Sequence, residues 1–334
     1  MILDGAVLVV RLPNWLGDTV MALPSLAALK AARAEALVVA VGSWAPILTG
    51  QGVADVLVGY PRDRRQRQRL AGALRAMRPD AAVLLPNSFE AALAARRWGA
   101  RVRLGYDTDM RGFLLTHLLD LPDPRRHQID EYAGLLEAAG IATPSTVPTW
   151  RLADDGTALA VTALLDEAGC AGGRALVGLH LGAAFGSSKQ WAPEAFAELA
   201  GRLGDRGLQP VLIGSPADQA MAARITELAG APLPSTVGRD RPGMLPQLLS
   251  RLHCLVASDT GVAHLAAALG VATVTLFGPT DPRLTAPRGR AAASLEGPAP
   301  CAPCFLPRCP IDHVCMRAIS AASVAEAVDR ARAA

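Results

Sequence analysis

Short apolar runs alternate along this chain with longer stretches in which apolar residues return every three or four positions. Ala6-Val7-Leu8-Val9-Val10 is the first run, continuous enough to predict a strand buried on both faces. From Thr19 to Arg33, Val20, Leu23, Leu26, Ala27 and Leu29 keep helical spacing. Further strands are predicted at 37–41, 56–59, 82–85 and 102–106, separated by segments long enough for helices. After Pro144, Pro148, a helical stretch near 157–168 and the turn-rich Gly169-Cys170-Ala171-Gly172-Gly173, the alternation restarts. It then gives a strand at 176–181, a helix at 193–203, a strand at 210–214, helices at 218–228 and 244–252, a strand at 254–257, a helix at 261–269 and a strand at 273–277. Such alternation predicts a parallel sheet covered on both faces, and two series predict two doubly wound α/β domains. The boundary belongs between residues 142 and 174, with domains at 1–155 and 156–315 and a last helix within 316–334.

In the second series the polar residues gather where strands end. Ala257-Ser258-Asp259-Thr260-Gly261-Val262-Ala263-His264 joins a strand to a helix. The first N–H groups of that helix suit a phosphate, Thr260 adds a hydroxyl, and Asp259 can accept from a ribose or sugar hydroxyl. A simple Asp-Thr helix cap would use the same residues. The stretch from Leu181 to Trp191 holds Ser187, Ser188 and Lys189, one of only two lysines, among small residues that let a ligand approach the backbone. Gly214-Ser215-Pro216-Ala217-Asp218 follows the next strand. Ligands of open α/β sheets sit outside the carboxyl ends of the strands, so these loops predict one rim and a nucleotide-diphosphate site. Lys189 would hold phosphate, a carboxylate the ribose, and the helix N-terminus the pyrophosphate.

The first series carries a different chemistry. Asp18 ends the loop Arg11-Leu12-Pro13-Asn14-Trp15-Leu16-Gly17-Asp18 where an N-cap would stand, with Met21 where a capping box would place Glu. The run Arg62 to Arg69 is the densest in charge. It suits either a solvated helix face or a cationic rim for an anionic acceptor. Asp107-Thr108-Asp109 superficially matches a metal-holding Asp-x-Asp, but no glycine-rich phosphate loop follows any strand of this half, so we read these residues as loop caps.

Composition narrows the function. A chain of 334 residues, 51% hydrophobic, buries a core large enough for two domains. Its net charge of +3 is carried by arginine, and an aromatic content of 4%, with no aromatic interleaved in the arginine run, is too low for nucleic-acid stacking platforms. No basic segment leads an apolar one at the N-terminus, and no apolar run reaches the roughly 18 residues that span a bilayer. We therefore expect a cytoplasmic protein.

Several stretches form a set: Asn14-Trp15-Leu16-Gly17-Asp18 with Leu23-Pro24, Asn87-Ser88-Phe89, Gly105-Tyr106, Arg111-Gly112, His127 with Glu131-Tyr132, Phe185 to Trp191, Ser258-Asp259-Thr260-Gly261 with His264, and Leu276 to Pro282. As a set it resembles the heptosyltransferases of lipopolysaccharide core synthesis, glycosyltransferase family nine, most closely the type II members. The resemblance implies the GT-B architecture, two Rossmann-like domains facing a central cleft, with the last helix crossing back to the first domain. It implies inverting transfer of heptose from ADP-L-glycero-D-manno-heptose to the inner core, onto the first heptose, with no cofactor required for catalysis. Asp18 matches the catalytic base. Gly17, Ser187, Ser188, Lys189, Asp218, Asp259, Thr260, Gly261 and His264 match donor-binding positions, and Arg62, Arg64, Arg65 and Arg111 are assigned to the acceptor. The implied partners are ADP-heptose, a lipid A–Kdo–heptose acceptor and the cytoplasmic face of the inner membrane, with no nucleic acid. The family usually has Pro-Gly after the strand and Arg-Trp after the lysine, where this chain has Leu181-Gly182 and Gln190-Trp191. Another nucleotide-sugar transferase of the same fold, or a catalytically silent nucleotide-sugar-binding protein, would keep the donor residues; the silent protein would need no base at Asp18.

Four of the six cysteines crowd into one segment: Cys301, Cys304, Cys309 and Cys315, with His313 among them. Soft ligands at that density suit a structural zinc or an iron–sulfur cluster, and reduced thiols in a proline-stiffened loop suit the same residues.

Overall fold

The predicted alternation is realised as two parallel sheets. In the computed structural model, which describes every residue except Met1, Asp154, Asp155, Ala171 and Asp240, the chain divides into the units Met1–Thr149 and Trp150–Ala334. That division falls inside the predicted interval; Asp155, the predicted last residue of the first domain, lies outside the described residues.

The first unit runs β1 (Val7–Arg11), α1 (Leu16–Met21), α2 (Leu23–Ala32), β2 (Leu37–Gly42), β3 (Val56–Gly59), α3 (Arg64–Ala76), β4 (Ala81–Leu84), α4 (Phe89–Arg97), β5 (Val102–Tyr106), β6 (His117–Leu119) and α5 (Gln128–Ala138). Its strands pair in the order β3-β2-β1-β4-β5-β6, all parallel. The order reverses between β1 and β4, where ligands of doubly wound sheets bind. Val9, Val39, Val41, Leu84 and Trp98 form part of the core on the sheet. The helix predicted at 19–33 is two helices meeting at Ala22. The first starts at Leu16 with Trp15 as its N-cap, so Asp18 stands inside the first turn rather than at the cap. Pro24 opens the second helix at a position where its missing N–H costs nothing.

The second unit runs α6 (Thr157–Glu167), β7 (Leu176–His180), α7 (Pro193–Asp205), β8 (Gln209–Ile213), α8 (Gln219–Ala229), α9 (Leu245–Ser250), β9 (Cys254–Ser258), α10 (Gly261–Ala268), β10 (Ala272–Phe277), α11 (Pro282–Thr285), β11 (Ala292–Glu296), α12 (Val314–Arg317) and α13 (Ala321–Ala333). The sheet order is β11-β10-β9-β7-β8, again all parallel. β9 follows β8 in sequence but pairs with β7, so the switch point lies between β7 and β9. The last helix, α13, packs against α7, β9 and β10 inside the second unit, burying Val324, Ala325 and Val328 in its core. Its Ala and Val face offers close packing to that sheet, and this is where its apolar stripe is spent.

Candidate active site

In the second unit the loops after β7 and β9 meet across the switch point. Lys189, in a single 3₁₀ turn (Ser187–Lys189), donates from Nζ to Asp259 Oδ2 at 2.5 Å and to the Asp259 carbonyl at 3.1 Å. Both side chains are buried. Thr280, after β10, donates to the same Oδ2 at 2.8 Å, and the Phe185 ring lies 4.8 Å from the ammonium. A buried ion pair survives only when extra hydrogen bonds offset its desolvation, and here the Asp259 carbonyl and Thr280 supply them. Beside the pair, α10 begins at Gly261 with Thr260 as its N-cap. The first-turn N–H groups of a helix have no acceptor within it, and the Thr260 hydroxyl is buried without a hydrogen-bond partner. The arrangement concentrates positive potential and idle donors at one strand-end crevice, which is what a diphosphate requires.

The remaining donor residues divide. Asp218 stands on the same rim, and its Oδ2 accepts from Ser215 N–H at 2.8 Å and Ser215 Oγ at 2.7 Å, closing a capping box. The same oxygen lies 3.3 Å from where a Cβ on Gly182 would fall, so the loops after β7 and β8 approach one another. His180, at the end of β7, is buried, and that burial pushes its imidazole down to about 4 despite the Asp218 charge. His264 is buried in the first turn of α10. Ser187 is exposed. Ser188 is a correction: its hydroxyl donates to the Leu306 carbonyl at 2.6 Å and its N–H to the Pro307 carbonyl at 3.2 Å, so it braces the lysine loop rather than facing a ligand. Asp259, expected to receive a sugar hydroxyl, also positions the lysine, with its Oδ2 accepting from Lys189 and Thr280. Gly186 has φ +151° and comes so close to the Pro307 carbonyl that a Cβ would lie 2.0 Å from that oxygen. Only glycine fits there.

The first unit builds a charged cluster at its own switch point. Arg11, at the end of β1 and 1% exposed, stacks 4.0 Å over the Tyr60 ring and donates to Asn14 Oδ1 at 2.8 Å. Glu90, in the first turn of α4, lies 3.7 Å from both Arg11 and Arg67 and accepts from the Tyr60 hydroxyl. Burial lowers the Arg11 pKa, with Glu90 opposing it, and burial together with Glu90 pushes Tyr60 up to about 12. Asp18 is half-buried next to fully buried Gly17 in α1. Its charge helps burial to raise the Tyr132 phenol, which places the carboxylate near that ring.

Arg111 was assigned to the acceptor, and the structure corrects this. Its side chain is wholly buried and donates to the carbonyls of Tyr106 (2.9 Å), Pro86 and Ser88 (3.1 Å). Burial, opposed by Asp109 and Asp107, pushes it down to about 10. Nη2 lies 3.4 Å from Asn87 Oδ1, so the buried guanidinium staples the loops after β4 and β5. Asp109 accepts from Phe89 N–H at 2.5 Å, the loop-cap role expected of it. Arg62, Arg64 and Arg65 are exposed around the start of α3, which Asp63 caps through Gln66 N–H. The member of that run turned inward is Arg67, which the charge pattern did not separate from its neighbours. Thr280, Phe185 and the cluster of Arg11, Tyr60 and Glu90 were also missed as site residues. The available signals were a charged residue closing an apolar strand and a threonine just after β10.

Among the described residues no group of three His, Cys, Asp or Glu side chains is placed to hold a metal ion, Cys301, Cys304, Cys309 and Cys315 included, and no helix is long and apolar enough to cross a membrane.

The family described as glycosyltransferase family 9 (heptosyltransferase) matches residues 67–315. The lipopolysaccharide heptosyltransferase 2 of Salmonella typhimurium is 28% identical over 295 residues, covering 82% of this chain and 83% of the relative. The structure of the E. coli ADP-heptose lipopolysaccharide heptosyltransferase II superposes with a TM-score of 0.80 at 26% identity, over 98% of both chains. A family 9 glycosyltransferase from Veillonella parvula superposes with a TM-score of 0.85 over 100% of this chain and 99% of its own; at 22% identity it supports the fold alone. The two doubly wound units are those of the GT-B heptosyltransferases.

Proposed function

Since the chain belongs to glycosyltransferase family 9, the heptosyltransferases, we propose that it transfers heptose from ADP-L-glycero-D-manno-heptose to the inner core of lipopolysaccharide, onto the first heptose. The observation that carries the donor half is the buried Lys189–Asp259 pair beside the start of α10. Asp259 and Thr280 hold the ammonium in place before substrate arrives, so it meets the diphosphate without reorganising.

In this reading the Asp18 carboxylate removes the proton of the acceptor hydroxyl as its oxygen attacks the anomeric carbon of the donor, a contribution of roughly 10²–10⁴-fold. The bond from that carbon to the ADP oxygen breaks in the same displacement, which inverts the centre. The charge gained by ADP is taken up by Lys189 and the N–H groups opening α10, so the step as proposed uses no metal.

The acceptor half rests on Arg62, Arg64 and Arg65. Three arginines gather at the positive end of the α3 dipole around one carboxylate, the N-cap Asp63, and phosphate or Kdo carboxylates of an acceptor would balance the remaining positive charge. Exposed Trp15, Met110 and Phe113, the last with its ring 6.0 Å from Phe89, support peripheral contact with the cytoplasmic face of the inner membrane, where such an acceptor is anchored.

The test is purified protein with ADP-heptose and defined truncated-core acceptors. Acceptor-dependent release of ADP is expected. Release without a glycosylated product would refute the acceptor, and failure to bind ADP-heptose at all would refute the donor site.

A further inference from the structure

Burying a guanidinium is costly, and a well-packed hydrocarbon of similar volume often serves stability as well or better. Arg11, closing β1 with 1% of its surface exposed, offsets that cost incompletely, because its Nε has no acceptor. What its other nitrogens do is therefore informative. Nη1 donates to the Leu12 carbonyl and Nη2 to Asn14 Oδ1 at 2.8 Å, so both bonds end in the loop that leads to Asp18. Glu90, in the first turn of α4, lies 3.7 Å from Nη2. The segments after β1 and β4 thus meet at Arg11, on either side of the point where the strand order reverses. Ligands of doubly wound sheets bind in the crevice at that point.

The bond to Arg11 fixes which way the Asn14 amide points. A guanidinium only donates, so it must face Oδ1, and the amide nitrogen with its two N–H groups is turned the other way. Asn14 is exposed, and among the described residues those N–H groups meet no acceptor. The loop that carries them is well anchored. Leu12 and Pro13 before it and Leu16 and Gly17 after it are buried. The Leu12 N–H continues the strand pairing to the Val41 carbonyl at 2.8 Å, and the Thr19 hydroxyl and N–H both donate to the Trp15 carbonyl at 3.0 Å. Nearby charge is unbalanced: the guanidinium groups of Arg11 and Arg67 flank the one carboxylate of Glu90, and Tyr60, pushed up to about 12, stays neutral. An amide whose oxygen is held by a cation is a strengthened donor at its nitrogen, and an anionic acceptor makes the most of it.

We propose that Asn14 is a specificity-determining residue for the acceptor, its amide N–H groups donating to an anionic oxygen, carboxylate or phosphate, and that Arg11 is the positioning residue that holds the amide in that orientation. An oxygen without a hydrogen can only accept, so it tells the amide nitrogen from the amide oxygen, which a sugar hydroxyl would not. This rests on the reading of the chain as a heptosyltransferase with an anionic acceptor. It adds to the exposed arginines around the start of α3 a neutral donor of fixed direction. Those arginines attract the anion through a screened field, and the amide selects its geometry.

The experiment compares wild type, Asn14→Asp, Asn14→Ala and Arg11→Met on three acceptors: the lipid A–Kdo acceptor carrying one heptose, the same with its sugar carboxylates reduced to alcohols, and the same stripped of phosphate. Asn14→Asp is the discriminating variant, because it keeps an oxygen for Arg11 and loses only the N–H groups. Its urea midpoint should equal or exceed that of wild type. Its kcat/KM for the unmodified acceptor should fall roughly 10-fold or more, with ADP-heptose binding unchanged. On one of the two modified acceptors the fall should shrink to less than about threefold, which identifies the oxygen as carboxylate or phosphate. Asn14→Ala and Arg11→Met should show smaller losses with the same dependence on the acceptor, a pattern that a merely structural role would not produce. Equal losses on all three acceptors, an unchanged kcat/KM in Asn14→Asp, or a loss that disappears toward high pH, as a charge effect on Asp18 would, each overturns the proposal. Failure of the wild type to glycosylate any of the acceptors refutes heptosyl transfer and this assignment together, whereas wild-type transfer with any of those variant results refutes the assignment alone.

Discussion

Removing both halves of the Lys189–Asp259 pair should damage the second unit less than the two single removals added together. Asp259→Asn keeps the shape of the side chain and an oxygen for Thr280 and Lys189, but leaves a 9%-exposed ammonium without its counter-charge. Lys189→Met leaves a buried carboxylate that keeps the Thr280 hydrogen bond but loses its cation. Breaking a buried pair from one side costs about 3–5 kcal/mol. The double variant Lys189→Met/Asp259→Asn buries no charge, so it should be milder than the sum by on the order of 1–3 kcal/mol. Urea unfolding followed through the fluorescence of buried Trp191 measures all three. Calorimetric titration with ADP adds the functional half. Loss of a charge-assisted phosphate contact of about 1.5–3 kcal/mol should weaken binding roughly 10–100-fold in Lys189→Met. Single variants within about 0.5 kcal/mol of wild type, or a double variant equal to the sum, would refute the coupling.

Asp18→Asn should cut turnover by about 10²-fold or more with ADP-heptose affinity nearly unchanged, measured by steady-state kinetics beside a donor titration; wild-type turnover would remove the base assignment. Arg111→Lys should lower stability by about 2–4 kcal/mol, since one ammonium cannot serve the carbonyls of Tyr106, Pro86 and Ser88 together. Its acceptor KM should stay at the wild-type value, and a raised KM in a stable variant would restore the acceptor role. Charge reversal at Arg62, Arg64 and Arg65 should raise the acceptor KM and flatten its salt dependence without touching donor binding; an unchanged KM makes the run a solvated surface. His180 is held at about 4 against an ordinary 6.5. The unfolded chain therefore takes up a proton first as pH falls. The stability this group contributes is full above 6.5 and is lost between about 6.5 and 4, on the order of 3 kcal/mol. Urea midpoints across that range should fall less steeply in His180→Asn, and an identical slope would contradict the assignment.

The sheets were legible because parallel strands buried on both faces are continuous apolar runs, as at Val7–Arg11 and Cys254–Ser258. β6 was missed because it is only three residues long, and β11 because its sequence Ala-Ala-Ser-Leu-Glu on a half-exposed edge is not a continuous apolar run. Lys189 and Asp259 stood out as polar residues just past such runs. Their contact did not, because it depends on β9 pairing with β7 across the intervening β8 segment, a matter of strand order that local pattern does not encode. Arg111 misled for the converse reason: an arginine in a loop reads as solvent-facing until the carbonyls it must satisfy are placed around it. In the basic run, only the packing of Tyr60 and Glu90 separates Arg67 from exposed Arg64 and Arg65.

Heptosyl transfer itself is tested most directly by mass spectrometry of a lipid A–Kdo acceptor carrying one heptose, incubated with the wild-type protein and ADP-heptose. The account predicts a gain of one heptose that disappears in Asp18→Asn and when the acceptor lacks its first heptose. No gain with ADP-heptose on any truncated core, together with a product formed from a different nucleotide sugar, would contradict it.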